Sequence, residues 1–358
     1  MNAFVPLREA DTACGSKAVV LGELLRSGFP VPAGFVLRVD PGTGWERELP
    51  DVLHALCGSR FAVRSSGMVE DGHTLSFAGQ FHTSLDVLPA AVETEVRRTA
   101  AAVEEAHSYA SAAGQPAPGK VAVIVQRMLA PSAAGVAFTR DPVTGQRMIV
   151  IEAADGLGDR LVSGRAHAER WRITHGEEPR RVTAHVVLDA EQANQVGRVA
   201  ASTEKLLGGP QDVEWAIAGD QLWILQARPI TATWTAEEVP APCVDASTTA
   251  ADLARGTPSS PGTARGRLRI IAGLDGFSRF SAGEVLVCRA TSPAWTPLLA
   301  RAAAVVTTRG GVLSHAAIIA RELRIPAITD VPCAMDLPDG ALVNVDGSTG
   351  TITATEAR

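Results

Sequence analysis

The chain has 358 residues, of which 46% are hydrophobic and only 4% are aromatic, and its formal net charge is -6. This length predicts two or three domains with cores of small aliphatic side chains, and the composition is not that of a disordered chain. The net acidity argues against a nucleic-acid partner, because proteins that bind nucleic acids present basic surfaces. We expect a cytoplasmic protein without membrane contact, since no apolar run is long enough to span a bilayer and the first residues do not form a signal peptide.

The cysteine content agrees with a reducing compartment. Five cysteines are scattered through the sequence, and no two of them form a C-x-x-C pair. An odd number without paired spacing argues against both a disulfide framework and a structural zinc site.

Hydrophobic periodicity predicts an α/β fold in the first part of the chain. GSKAVVLGELL (15–25) has helical spacing, with Ser16 as the cap, and a strand is expected after it. FAVRSS (61–66) alternates apolar and polar residues as a strand does, and an Ala-rich helix is expected over 90–111. Further strands are predicted at 121–129, 135–139 and 148–153.

A β-hairpin is predicted around the turn 218–220, where QDVEWAI is followed by QLWILQARPI. Residues two apart in a strand share a face, so Asp212 lies with Glu214, and Gln226 lies with Arg228. Two carboxylates, an amide oxygen and a guanidinium on one sheet face suit a magnesium–nucleotide complex. A surface ladder of ion pairs would give the same spacing, and the spacing alone favours that ladder over a nucleotide site.

One motif fails its own test. GQPAPGK (114–120) matches the G-x-x-x-x-G-K pattern of a nucleotide-binding P-loop, but Val121 stands where Ser or Thr must hold magnesium. An apolar strand follows where the phosphate-binding helix should begin, so we do not assign this segment to phosphate binding.

The residues after 231 define the predicted domain organisation. Residues 232–257 are rich in Thr, Ala, Pro and acidic side chains without periodicity, which predicts a linker. The residues 258–358 show short strands around one clear helix, which predicts a small α/β domain. The predicted first domain is 1–231.

His315 stands at the start of that helix, in VVTTRGGVLSHAAIIARELRIPAI (305–328). A glycine pair and Ser314, the expected cap, precede it, and Pro326 limits the helix end. The positive end of a helix dipole disfavours imidazolium and favours a bound anion, which suits a nucleophilic ring that carries a phosphoryl group. The alternative is an ordinary packed or surface histidine, as the other seven histidines are expected to be.

The whole segment TSPAWTPLLARAAAVVTTRGGVLSHAAIIARELRIPAI (291–328) resembles the phosphohistidine swivelling domain of phosphoenolpyruvate synthase, pyruvate phosphate dikinase and rifampin phosphotransferase. Residues 15–231 resemble the ATP-grasp domain of the same enzymes, with FAVRSSGMVEDGHTLSFAGQ, VAVIVQRMLAPSAAGVAFTRDPVTG and IEAADGLGDRLVSGR in the family's order. The resemblance implies an α/β (α+β) architecture, in which an ATP-grasp domain is followed by a small swivelling domain. Ser16 and Ala18 depart from the family, since they replace glycines of its opening GGKG motif.

The resemblance also implies roles for individual residues. His315 would carry the phosphoryl group, Lys17 and Arg64 would bind ATP phosphates, and Arg228 would contact the transferring group. Magnesium would be held by Asp212, Glu214 and Gln226. The backbone around Gln126, Met128 and Leu129 would receive adenine. The loop that covers the phosphates would include Ser76, Ala78, Gly79 and Gln80.

The function implied by the resemblance is a dikinase-type phosphotransfer that requires ATP and Mg²⁺. ATP would phosphorylate His315 with release of AMP and phosphate, and the group would pass to a hydroxyl or amine of a small molecule, an antibiotic or specialised metabolite being the candidate class. Neither the pyruvate-binding barrel of the dikinases nor the helical domain of rifampin phosphotransferase is expected in this sequence. Two alternatives stay open: a phosphocarrier that serves a partner protein, and a nucleotide-binding regulator without turnover. Trp295 and Arg309 flank the histidine motif, either as acceptor-site residues or as packing and turn residues.

Overall fold

A computed structural model describes residues 3–38, 44–67, 83–101, 121–158, 168–174, 176–230, 252–312 and 314–355. The chain divides into two compact units, which are described one at a time. The first unit comprises Met1–Ser132 and Asp212–Pro229, and the second comprises Ala133–Gln211 and Ile230–Arg358. Helices and strands are mixed in both units, which confirms the predicted α/β class.

In chain order, the strands are β1 Phe4–Pro6, β2 Gly34–Leu37, β3 Phe61–Gly67, β4 Thr83–Val87, β5 Val121–Arg127, β6 Ala133–Phe138, β7 Met148–Asp155, β8 Glu169–Thr174, β9 Arg180–Arg181, β10 Gln211–Ala218, β11 Gln221–Pro229, β12 Asp252–Arg255, β13 Thr257–Ser260, β14 Thr263–Ile270, β15 Val285–Cys288, β16 Ala304–Thr307, β17 Ala327–Thr329, β18 Leu342–Asp346 and β19 Thr351–Ala354. The α-helices are α1 Ser16–Arg26, α2 Leu49–Ala55, α3 at 92–101, α4 Ala190–Leu207, α5 Thr296–Leu299 and α6 His315–Glu322.

The first unit is built on an antiparallel sheet with the strand order β1-β2-β5-β3-β4. Alternate residues of its central strands, such as Phe61, Val63 and Val125, join a core with residues of α2 and α3. The residues between them, such as Arg64, project from the opposite face because side chains alternate along a strand. Helix α1 packs against β3 and β11, and the predicted hairpin is present as β10 and β11. The sheet thus presents Arg64 on the side that α1 and the hairpin occupy.

The second unit contains two groups of strands. Strands β6 to β9 pair successively as antiparallel neighbours, and α4 packs against β7. The later strands form an eight-stranded sheet in the order β12-β19-β18-β14-β15-β16-β17-β13. The run from β14 to β17 is parallel, and the outer pairs are antiparallel. Parallel strands align their carboxyl ends, so the loops after β15 and β16 come together at one edge.

Three local expectations differ from the structure. Helix α1 is capped by Gly15 and not by Ser16, whose hydroxyl donates to the Gly67 carbonyl at 3.1 Å. Strand β12 lies inside the predicted linker and pairs with β19, so pairing with a distant strand outweighs the weak local pattern there. Helix α4 was not predicted, although Asp189 and Gln192 form a capping box at its start. The predicted helix 90–111 is described only up to residue 101, and the P-loop-like segment 114–120 lies outside the described residues.

The helices of the described ranges do not include a membrane span. None of them combines the length and the apolar composition that crossing a bilayer requires.

We expect Leu286→Ala to lower the free energy of unfolding by about 2 to 5 kcal/mol, because Leu286 is fully buried under α5 and α6 and its removal leaves a cavity. Urea unfolding followed by tryptophan fluorescence measures this loss, since Trp295 lies in the same cluster. Leu274→Ala is the matched control, because Leu274 is 55% exposed and its truncation should change stability by less than about 0.5 kcal/mol. Equal losses in the two variants would contradict this packing.

Candidate active site

Lys17 is buried at the start of α1, and its position depends on the residue before the helix. Gly15 has φ +79° and lies against Ser66, where an added Cβ would come within 2.2 Å of the Ser66 carbonyl oxygen. Only glycine permits this approach, which brings the first turn of α1 onto β3. The Lys17 ammonium then donates to the Ser65 carbonyl at 3.1 Å. Lys17 and Arg64 are therefore anchored at neighbouring residues of one strand.

Arg64 gathers three acceptors from the hairpin. Its Nη2 donates to Glu214 Oε2 at 3.1 Å and to Gln226 Oε1 at 2.7 Å, and its Nη1 donates to the Leu225 carbonyl at 2.6 Å. The side chain is only 11% exposed, so its charge is largely removed from water and satisfied by these partners. Arg64, Glu214 and Gln226 therefore form one connected cluster.

Arg228 and Asp212 form the second charged pair of the hairpin. Arg228 Nε donates to Asp212 Oδ2 at 2.7 Å, across the two strands. Asp212 is buried, whereas Arg228 is 22% exposed. The structure thus brings together all four hairpin residues that the sequence singled out, with each carboxylate held by an arginine.

Residues 126–129 form the end of β5 and the segment that follows it. The Gln126 side chain is buried and donates to the Pro32 carbonyl at 2.8 Å. The N–H groups of Arg127 and Met128 donate to the carbonyls of Ala33 and Arg60. Among the described residues, the Leu129 N–H makes no backbone hydrogen bond. The predicted loop residues Ser76, Ala78, Gly79 and Gln80 lie outside the described residues.

His315 is the first residue of α6 in the second unit. Ser314 caps the helix and accepts a hydrogen bond from the Ala317 N–H, as predicted. The imidazole is 8% exposed, and its Nδ1 lies 2.8 Å from Thr291 Oγ1. Its Nε2 is buried and has no hydrogen-bond partner within the described ranges. One ring nitrogen is thus hydrogen-bonded, and the other has no partner among the described residues.

The pairing of His315 with Thr291 follows from the parallel part of the sheet. Thr291 lies in the loop after β15, and His315 follows the loop after β16, which is the parallel neighbour of β15. Because both loops leave the same edge, residues 24 positions apart meet. Thr291 was not singled out from the sequence, although it is the first residue of the segment 291–328 that carries the family resemblance.

Burial sets the protonation of the side chains at this edge. Desolvation lowers the pKa of His315 from 6.5 to about 4, so the ring is neutral at physiological pH. Burial also raises the pKa of the Cys288 thiol, at the end of β15, to about 12. A thiol with that pKa stays protonated near neutrality.

Trp295 has a packing role. It is 7% exposed and contacts Phe277 edge to face, with ring centroids 5.0 Å apart. It belongs to the core beneath α6, so we assign it to packing and not to an acceptor site. Arg309 is exposed in the turn after β16.

Comparisons with known proteins agree with this division of sites. Residues 45–184 and 173–248 match the family model of the pyruvate phosphate dikinase AMP/ATP-binding domain. Residues 280–350 match that of the PEP-utilising enzyme mobile domain. The first match includes the hairpin cluster, and the second includes His315.

Several relatives align over most of the chain. A probable phosphoenolpyruvate synthase of Archaeoglobus fulgidus is 31% identical over 94% of this chain and 56% of its own length. The phosphoenolpyruvate synthase of Aeropyrum pernix is 30% identical over 95% of this chain and 56% of its own length. A rifampicin phosphotransferase of Streptomyces sviceus is 35% identical over 50% of this chain and 24% of its own length. The chain thus spans about half the length of the first two relatives.

The fold, the hairpin cluster and the helix-start histidine define a class of protein, one that joins an ATP-binding domain to a mobile domain of PEP-utilising enzymes. Within that class, the chain belongs to the pyruvate phosphate dikinase and phosphoenolpyruvate synthase family. The resemblance inferred from the sequence is confirmed.

We expect the ring protons of His315 to titrate with a midpoint near pH 4, far below the usual histidine value, because burial penalises imidazolium. Proton NMR between about pH 8 and pH 3 measures this midpoint, and His315→Asn identifies the signal. The unfolded chain binds this proton more tightly, so stability is full above about pH 6.5 and declines as the pH falls towards 4. A midpoint near 6.5 would show that the ring is solvated.

Proposed function

We propose that this chain uses ATP to phosphorylate His315 and then passes the phosphoryl group to a small-molecule acceptor. The observation that carries the proposal is the state of the imidazole. It is buried and neutral, it stands at the first position of a helix, and its Nε2 makes no hydrogen bond within the described residues. The contact of Nδ1 with Thr291 leaves Nε2 as the atom that can attack phosphorus.

The contact with Thr291 supports one tautomer of the ring. A neutral imidazole carries one N–H, and we place it on Nδ1, where Thr291 Oγ1 can accept it at 2.8 Å. The lone pair then lies on Nε2, which is the form that a nucleophile requires. Thr291 therefore acts as a positioning residue, since it fixes both the ring orientation and the position of the proton.

The hairpin cluster offers the donor set that magnesium prefers. Asp212 and Glu214 supply carboxylate oxygens and Gln226 supplies an amide oxygen, and Mg²⁺ commonly shares such ligands with substrate phosphates. Within the described residues, no group of three or more His, Cys, Asp or Glu side chains converges, so a site completed by nucleotide oxygens suits this chain better than a closed protein cage. Bound there, Mg²⁺ would neutralise charge on the triphosphate.

The arginines of the cluster would exchange partners when Mg-ATP binds. Arg64 and Arg228 form ion pairs with Glu214 and Asp212. If the carboxylates turn to magnesium, both guanidinium groups become available for phosphate oxygens, which they bind in fork geometry. Lys17, anchored one residue from Arg64 on β3, would add a further positive charge. The Leu129 N–H would donate a hydrogen bond to the adenine ring.

The chemistry proposed follows the family. Nε2 of His315 attacks the β-phosphorus of ATP, the bond between that phosphorus and the bridging oxygen to the α-phosphorus breaks, and AMP leaves. Hydrolysis of the resulting pyrophosphoryl group releases the γ-phosphate and leaves one phosphoryl group on Nε2. Transfer to a hydroxyl or amine then restores the neutral ring. Positioning and charge neutralisation are the main contributions of the protein in such reactions.

The acceptor class rests on the relatives. Two are named phosphoenolpyruvate synthases and one a rifampicin phosphotransferase, and these names denote small-molecule chemistry. They support a small-molecule acceptor for this chain, with an antibiotic or another specialised metabolite as the candidate class.

Incubation with Mg-ATP labelled at the β-phosphate tests the proposal. We expect acid-labile label on the wild-type protein and formation of AMP, because phosphohistidine is the intermediate. His315→Asn should carry no label, since Asn keeps a polar side chain at the helix start but offers no nucleophilic nitrogen.

Two controls sharpen this experiment. EDTA should abolish labelling, because the proposed reaction needs magnesium. ATP labelled at the γ-phosphate should release its label as free phosphate and leave none on the protein at completion. Label that persists in His315→Asn, or wild type that forms neither AMP nor labelled protein, would overturn the proposal.

A further inference from the structure

Glu152 is a buried carboxylate that lies outside the hairpin cluster described above. It lies on β7, is fully buried, and stands directly opposite Arg170 of β8. Arg170 donates to Glu152 Oε1 from Nε at 3.1 Å and from Nη2 at 2.5 Å. A buried carboxylate is costly without a charged partner, and the pairing with Arg170 fixes its position on the sheet.

The same carboxylate contacts the segment that precedes His315. The Val312 N–H donates to Glu152 Oε1 at 3.3 Å. A Cβ added at Gly311 would lie 2.7 Å from each carboxylate oxygen, closer than real Cβ atoms come. Glu152 Oε2 is buried there and makes no hydrogen bond within the described residues. Glycine at position 311 is therefore what allows the carboxylate to reach this backbone.

Apolar contacts act beside the carboxylate. The Val312 side chain is 4% exposed and packs in a cluster with Val136, Phe138 and Val150 of β6 and β7. Hydrophobic burial stabilises the segment against these strands, and the directional hydrogen bond to Glu152 sets its position along them. The two contacts together define one docked position of Val312 within the second unit.

Hydrogen bonds connect Val312 and Gly311 to α6, the helix that begins with His315. Arg321 of α6 donates to the Val312 carbonyl at 2.7 Å and to the Ser259 carbonyl at 2.9 Å. The Ser314 hydroxyl donates to the Gly311 carbonyl at 2.9 Å. Glu152 therefore accepts a hydrogen bond from the Val312 N–H, and Arg321 of α6, the helix that begins with His315, donates to the carbonyl of the same residue. These hydrogen bonds connect the segment at Glu152 to the start of α6.

We propose that Glu152 is a positioning residue for His315: its carboxylate binds the Gly311–Val312 backbone and sets the place of the imidazole for phosphorylation. The functional part of this inference rests on the proposed phosphorylation of His315. The contact itself does not, and it can be measured in a protein that has no activity.

Gly311→Ala tests the contact while the residues Glu152 and Arg170 themselves stay unchanged. We expect the added methyl to displace the segment, so that labelling of His315 by Mg-ATP slows roughly a hundredfold, as small misplacements of a reacting group do. Amide hydrogen exchange of the 304–318 segment should accelerate roughly tenfold, because the Val312 N–H loses its acceptor. Affinity for a non-hydrolysable ATP analogue should stay within about twofold, since the hairpin residues are unchanged.

Gly209→Ala is the matched control, because a Cβ at Gly209 meets no atom within 4 Å and its labelling and exchange should equal those of wild type. Glu152→Leu should reproduce both effects of Gly311→Ala. Glu152→Gln keeps an oxygen for the Val312 N–H and should be less impaired than Glu152→Leu, which a merely space-filling role would not give.

Each outcome decides a separate question. If wild type is labelled and Gly311→Ala is labelled and exchanges at the same rates, the inference is wrong while the proposed function stands. If wild type is not labelled, the proposed function fails, and hydrogen exchange alone judges the contact. Unchanged exchange in Gly311→Ala and Glu152→Leu then overturns it.

Discussion

Removal of the His315 ring from water is the constraint on which the proposed chemistry of the second unit depends. Desolvation lowers the pKa of His315 and keeps the ring neutral, and a neutral ring has a lone pair to use. Burial alone would leave both nitrogens without partners, and Thr291 resolves this for Nδ1 only. The parallel strands β15 and β16 make that pairing, because their aligned ends deliver both loops to one edge. A buried polar atom without a partner is costly, which is typical of sites kept for function.

In the first unit, by contrast, the charged side chains of the candidate site all have partners. The two hairpin carboxylates are each held by an arginine, and Lys17 by a backbone carbonyl. Buried charges need such partners when no ligand is bound. In the proposed reaction, a magnesium–nucleotide complex would replace one set of charge pairs by another, and the side chains would already lie near the positions that the reaction requires. Such preorganisation reduces the conformational entropy lost on binding.

The sequence predicted those features that depend on local pattern. Alternation and a turn identified the β10–β11 hairpin, and a capped apolar helix after a glycine pair identified the setting of His315. The contacts made by Thr291 and Glu152 escaped prediction because they join residues 24 and 160 positions apart. Strand β12 escaped for the same reason, since its partner is the distant β19. Side-chain periodicity describes faces within an element, whereas these features depend on which elements become neighbours.

In the proposed reaction Nε2 of His315 receives the phosphoryl group, and the site of the phosphorus–nitrogen bond tests this directly. Protein with nitrogen-15 in its histidine rings would be phosphorylated with Mg-ATP and studied by phosphorus–nitrogen correlation NMR. We expect a coupling to Nε2 of His315, because Nδ1 contacts Thr291. A coupling to Nδ1, or phosphorus bound to any other residue, would contradict it.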